Sequence, residues 1–464
     1  MPTTAPLHAI LHAVARRYRV SGATAGPATH DHAGALARII ERLQAVVSAG
    51  GEPGSSWRDA FLTALDGLVR DALRPDGGDP AFQAAVLAYR QPEVRAYLAL
   101  RREAAADSRK MRTTADALAH PRKPARLAPG PARELLAQLH AATTTGAWRE
   151  VAEAARALSS MPQVTTLDDL ASALRTLRDD PALARLCRGE ALAAAPAVQR
   201  YESLRARLGP RAGSNEASAQ ALLARQRGVA VEAMAARALE AVARYLDQAE
   251  GPQASAAEPR YRVVTSLRVP AGLAADADRA KTEWDGVLLR RADPAPLWDV
   301  CVMVEAKASV EAATTDLPRL LRGLRLLARA QPGQAYAFST QQGMIQVRGA
   351  SLAALPVTEA TLAQQVLYCS DAPVDAAPAG LHAASRMQLL SAPSCLAYAA
   401  ALSEGRAMDK NDLAPLWQAL RHDPRWRPVL NLAAMRQLAR SLMVHPDDLL
   451  ATVARLSTPA GASA

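Results

Sequence analysis

The sequence predicts an α+β fold in which a β-containing module interrupts a largely helical chain. Alanine, leucine and arginine dominate the 464 residues, and Phe, Trp and Tyr supply only 4%. That is the composition of packed helices rather than of a sandwich or barrel. β-Branched residues gather between 261 and 348, where apolar side chains change from helical spacing to alternation.

Taken in order, the apolar spacing predicts helices at Leu7–Tyr18, His32–Ser48, Trp57–Leu73 and Pro80–Arg102, with a further series over Pro131–Leu208. Glycine and proline cluster in the breaks at Ala49–Ser56 and Arg74–Asp79. Ala104–Gly130, with Arg109, Lys110, Arg112, Arg122, Lys123 and Arg126, reads as a flexible basic linker, or alternatively as a phosphate-binding arm. A break at Gly209–Asn215 precedes a helix over Arg225–Gln248. Strands are predicted at Tyr261–Val269, from Glu283 to Leu289, and from Leu297 to Lys307. Arg290–Pro296, with its Asp-Pro and Ala-Pro steps, joins the last two as antiparallel neighbours. A second helix is expected near Asp316, capped by it, with Pro318 in its first turn and Leu317, Leu320, Leu321, Leu324 and Leu327 buried. Ala335–Thr340 is the expected closing strand, and Met344–Arg348 turns back from it as a hairpin. The chain thus divides into a helical region at 1–208, a β-containing module at 216–370 and a helical region at 371–464.

The chemistry concentrates between Thr282 and Ser309. Glu283, Asp285, Val287 and Leu289 share one face of a strand, and Val300, Val302 and Val304 lead into Glu305-Ala306-Lys307. Antiparallel pairing brings the Asp285 end of the first strand beside the Glu305 end of the second, with Lys307 on the same side. Two carboxylates this close repel each other unless a cation lies between them, and hard oxygen donors suit Mg²⁺ or Mn²⁺. Such an ion polarises a phosphoryl oxygen and acidifies a bound water, while a lysine positions that water or offsets transition-state charge. Lysine is scarce here: Lys110, Lys123, Lys281, Lys307 and Lys410 are the five among 55 basic residues. A lysine at the end of an apolar strand is therefore a marked choice over arginine.

Asp285 followed by Glu305-Ala306-Lys307 resembles the signature of the PD-(D/E)xK nuclease superfamily, over roughly residues 220–350. The resemblance implies a central restriction-endonuclease-like αβββαβ core flanked by helical N-terminal and C-terminal regions. It also implies metal-dependent hydrolysis of DNA, with structured RNA as the other substrate. Gly228-x-x-x-Glu232 looks like the first-helix motif of many members, which makes Glu232 preferable to Glu240, two turns away. By resemblance Asp285, Glu305, Lys307 and Glu232 are the catalytic set, and Asp285, Glu305 and the Ala306 carbonyl hold Mg²⁺ or Mn²⁺. Glu283 is a further ligand or a flank of the site. The alternative is a catalytically inactive nucleic-acid-binding or protein-interaction module on the same fold. An all-helical scaffold with a chance motif is a third reading, and it predicts no sheet over 260–350.

A formal charge of +10 and a pI near 9.8 suit a polyanionic partner. Arg290 and Arg291 after the acidic strand, and Arg319, Arg322 and Arg325 along the second helix, are the candidate phosphate contacts. Cys187, Cys301, Cys369 and Cys395 show neither zinc spacing nor a disulfide framework, which suits a reducing, cytoplasmic setting. His8 and His12, four apart, lack a third ligand, and His382, His422 and His445 have no metal spacing. No Walker-type glycine loop and no apolar run of membrane-spanning length occurs.

Overall fold

The computed structural model describes residues 4–19, 31–120, 129–209, 213–251, 259–274, 279–292, 296–374 and 381–458. Strands are β1 (Tyr261–Arg268), β2 (Glu283–Ala292), β3 (Leu297–Ala306), β4 (Ala335–Thr340), β5 (Gly343–Arg348), β6 (Val366–Cys369) and β7 (Met443–Val444). They share one mixed sheet, so the chain is α+β and residues 260–350 are not a helical scaffold.

β1, β2 and β3 form an antiparallel meander. Along its other edge β3 is shared: its beginning pairs in parallel with β5 at Leu297↔Gln346, and its end with β6 at Glu305↔Tyr368 and Ala306↔Cys369. β7 then pairs in parallel with β6. The β4–β5 hairpin turns at Gly343, whose φ of +102° favours a residue without a side chain.

At β2 and β3 both faces of the sheet are apolar and both are covered, which is why these strands read as continuous hydrophobic runs. On one face Val287, Leu289 and Met303 pack with Leu317, Leu320 and Leu324 of the helix Val310–Leu327. On the other, Leu288, Val302 and Val304 meet Leu239 and Val242 of the helix Asn215–Ala249. Leu7, Ile10 and Leu11 near the N-terminus and Leu449 and Val453 near the C-terminus complete that second core. A Cβ on Gly286 of β2 would lie 3.2 Å from Leu239 Cδ1, so glycine allows the long helix its close approach.

The chain forms two compact units, each discontinuous in sequence. One comprises Met1–Ala64, Ala212–Arg386 and Trp417–Ala464; the other comprises Leu65–Arg211 and Met387–Leu416. The second unit has a helical core that includes Met111, Leu136, Leu139, Val151, Leu158 and Leu174. These units interleave where the sequence suggested three consecutive regions, because both ends of the chain supply apolar cover for the sheet.

Several local expectations need correction. The first helix spans Ala5–Ala13 and stops short of Tyr18. Pro80–Arg102 is divided at Gln91, because Pro92 holds the preceding residue extended and starts a new helix, Pro92–Ala119. That helix replaces the expected linker over 104–120: Met111, Ala115 and Ala119, four apart, form a buried stripe. Two of its polar residues are paired, Asp107 with Arg185 at 2.7 Å and Lys110 with Asp180 at 2.6 Å. Arg122, Lys123 and Arg126 lie outside the described residues.

The second helix begins at Val310, not near Asp316. Ser309 caps it by accepting from Ala312 N–H at 3.1 Å, and Pro318 falls inside the helix. Finally, the strand that closes against Glu305 is β6, not Ala335–Thr340. β4 instead pairs antiparallel with β5 and touches β1 at Arg268↔Ser339. β6 is four residues long and buried at every position, so it has no alternation to read.

Candidate active site

β2 and β3 bring the acidic residues together. Gly286 lies opposite Val304, which sets Asp285 beside the Glu305 end of β3. Pairing of β1 with β2 runs through Thr265↔Gly286 and resumes at Leu267↔Trp284, passing over Ser266 and Asp285. Ser266 has φ +51°, a left-handed conformation that costs a non-glycine residue about 1–3 kcal/mol. This kink releases Asp285 from the β1 ladder. Its Oδ2 instead accepts from the Ala306 N–H at 2.8 Å, so the carboxylate is tied to the main chain between Glu305 and Lys307.

Glu305 is completely buried. Its Oε2 accepts from the Lys281 ammonium and, at 3.2 Å, from Lys307 Nζ. Its Oε1 has no hydrogen-bond partner among the described residues. Burial and the neighbouring Asp285 push this carboxyl up to about 8. Lys307 is fixed to β6 by its N–H, which donates to the Cys369 carbonyl at 2.9 Å. Burial opposes its charge, but Glu305, Asp316 and Asp285 outweigh burial and hold the ammonium above the ordinary lysine range.

The helix Val310–Leu327 contributes Asp316, whose Oδ2 lies 3.7 Å from Lys307 Nζ and accepts from the Tyr368 hydroxyl at 3.3 Å. A cleft of about 450 Å³ opens here, lined by Lys307, Glu311, Ala312, Thr315, Asp316 and Arg319. From the helix Asn215–Ala249, the carboxyl of Glu232 is raised by partial burial and then by Asp285, with Lys307 opposing. Glu232 and Glu240 are both exposed, and Glu240 lies about 12 Å further along that helix. Glu283 turns to Arg268 of β1, 3.5 Å away, and stands as a flank.

Not every expected residue is gathered. Arg290 and Arg291 lie at the opposite end of β2, about 17 Å of strand from Asp285. Arg290 reaches Glu250 at 3.4 Å, and Arg291 lies 5.9 Å over the Trp298 ring. Arg319, Arg322 and Arg325 are exposed on the second helix. Arg319 borders the cleft, whereas Arg322 donates to the Arg279 carbonyl at 3.0 Å.

A larger cleft of about 950 Å³ lies within the helical unit, lined by Arg90, Arg95 and Arg406 among others. Its arginines are engaged: Arg90 and Arg406 with Glu404 at 3.6 and 2.8 Å, and Arg95 with the Tyr89 carbonyl. The smaller cleft is the one beside an unsatisfied buried carboxylate.

Lys281, Asp316 and Tyr368 are the residues that sequence reasoning missed in this cluster. The rarity of lysine was a signal for Lys281, but its meeting with Glu305 depends on the path of the segment before β2. Asp316 was visible only as a helix cap.

Carboxylates outnumber ammonium groups in this cluster. Glu232, Asp285, Glu305 and Asp316 gather around the ammonium groups of Lys281 and Lys307, which leaves an excess of two negative charges when all are ionised. The unpartnered Oε1 of Glu305 beside a second carboxylate is an arrangement that a cation relieves. Among the described residues, no group of three or more His, Cys, Asp or Glu side chains is placed to hold a metal ion.

No family model matches the sequence, and comparison with curated proteins and with solved structures returns no match. Among the described residues no helix is long and apolar enough to cross a membrane.

Proposed function

We propose that this protein is a metal-dependent nuclease that hydrolyses DNA phosphodiester bonds. The observation that carries the reading is the meeting of Asp285, Glu305 and Lys307 at the end of β3, with one buried Glu305 oxygen unsatisfied. The succession of helix Asn215–Ala249, β1, β2, β3, helix Val310–Leu327 and parallel β6 supports a restriction-endonuclease-like core, with β4 and β5 inserted before the last strand.

Asp285, Glu305 and the Ala306 carbonyl would hold Mg²⁺ or Mn²⁺, which supplies Lewis acidity toward a phosphoryl oxygen and a more acidic water when bound. Lys307 stays protonated beside Glu305 and Asp316, orients the attacking water and offsets the charge that grows on the phosphoryl oxygens. Glu232, on the helix Asn215–Ala249, supports the metal or orients Lys307. Arg319 at the cleft rim, with Arg322 and Arg325 beyond it, provides a basic approach for the phosphate backbone, which makes binding weaken as salt rises.

A second reading is a binding module without catalysis. The Lys281–Glu305 ion pair favours it, because an internal cation already occupies one oxygen of the central carboxylate.

Cleavage of linear, circular and single-stranded DNA with Mg²⁺, Mn²⁺ or EDTA decides between them. The nuclease reading expects metal-dependent cutting that falls about a hundred-fold or more in Asp285→Ala and Lys307→Ala. DNA binding without cutting, indifferent to EDTA and to both substitutions, would establish the binding module instead.

A further inference from the structure

We infer that Lys281 is the resident counter-cation of this site: it holds Glu305 by one oxygen, leaves the other for a divalent ion, and keeps the affinity for that ion low. The inference rests on the nuclease reading and concerns how its metal is admitted.

Lysine side chains ordinarily extend their ammonium groups into water, and Lys281 does the reverse. It is 5% exposed, and the segment that carries it is held by several contacts. Its N–H donates to the Arg319 carbonyl at 3.2 Å, and the Thr282 carbonyl accepts from Val269 N–H at 2.9 Å. The helix Val310–Leu327 has glycine where it passes this segment: a Cβ on Gly323 would lie 2.8 Å from both the Cβ and the carbonyl oxygen of Lys281. The ammonium then lies 6.0 Å from the centre of the Trp284 ring and ends on Glu305 Oε2. Lys307 contacts that same oxygen, so both cations bind one side of the carboxylate and Oε1 is left bare.

A buried ion pair is a poor source of stability, since well-packed apolar residues of similar volume serve as well or better. The asymmetry at Glu305 has a use if a second cation is to arrive. Lys281 neutralises the carboxylate beforehand and limits it to a single free oxygen. Its charge also repels the incoming ion, and in a site this dry such repulsion is weakly screened. Lys281 is therefore a positioning residue, and its removal should strengthen metal binding.

The test is calorimetric titration of Mn²⁺ into the full chain and into Lys281→Met, Lys281→Gln, Lys281→Arg and Asp285→Ala, with no nucleic acid present. Lys281→Met and Lys281→Gln are expected to bind Mn²⁺ at least about ten-fold more tightly than the unsubstituted protein, and Lys281→Arg no more tightly. Glutamine can still donate to Oε2, so that variant keeps the test open should the methionine variant fail to fold. Unchanged or weaker binding in the neutral variants, with binding lost in Asp285→Ala, overturns the role of Lys281 alone. Equal Mn²⁺ binding by Asp285→Ala and the unsubstituted protein overturns the metal-site reading, and this inference with it.

Discussion

Glu305 shows how a single buried residue acquires its character from its neighbours. Desolvation and Asp285 raise its carboxyl, while two ammonium groups share one of its oxygens. A similar contrast separates the thiols. Cys301, Cys369 and Cys395 are buried, and desolvation pushes each up to about 12. Cys187 is half-buried, and its raised value comes from burial and from Glu190. A raised thiol pKa means that the unreactive protonated form persists as pH rises, until the chain opens and the pKa returns to its ordinary range. Titration with an aromatic disulfide reagent at pH 8 should modify Cys187 in the native protein and the other three only on unfolding. Simultaneous reaction of all four in the native state would contradict the buried assignment.

Two helical glycines in this chain stand in opposite surroundings. Gly323 lies where the helix Val310–Leu327 meets the Lys281 main chain, and Gly228, on the helix Asn215–Ala249, has open space where a Cβ would stand. The same change should therefore have opposite signs. Gly228→Ala gains the helix propensity of alanine, about 1 kcal/mol. Gly323→Ala gains the same propensity but forces apart a backbone contact, for a net loss of about 1–3 kcal/mol. Urea unfolding of the two variants checks both signs, and a stabilised Gly323→Ala would mean that the Lys281 segment is free to move. Gly228 looked like part of a motif with Glu232, but beside the site the glycine that a neighbouring main chain requires is Gly323. Spacing along the chain cannot reveal which glycine another element will press against.

At the scale of the molecule, the sheet depends on both ends of the chain. Leu7, Ile10 and Leu11 cover one face together with Leu449 and Val453, and Ala439 and Leu442 join the core on the other. A fragment of residues 216–370 contains every proposed catalytic residue but leaves these apolar faces open. It should lose near-ultraviolet circular dichroism and bind a hydrophobic dye, as loosely packed chains do. A fragment that unfolds cooperatively with a native-like spectrum would show that the ends are dispensable. No local pattern announced this arrangement, because an amphipathic helix records that one of its faces is covered and not which part of the chain covers it.

The sequence by itself determined the class of fold, the antiparallel pairing of β2 with β3, and the proximity of Asp285 to Glu305 and Lys307. These follow from short-range rules, since alternation defines strands and a short connection makes neighbouring strands antiparallel. Tertiary structure alone decided that β6 closes beside Glu305, that Asp316 faces Lys307 and accepts from Tyr368, and that Lys281 ends on the buried carboxylate. Each of these contacts joins segments whose separation along the chain carries no periodic signal. They arise because the sheet must bury both faces, and that packing selects which distant side chains meet.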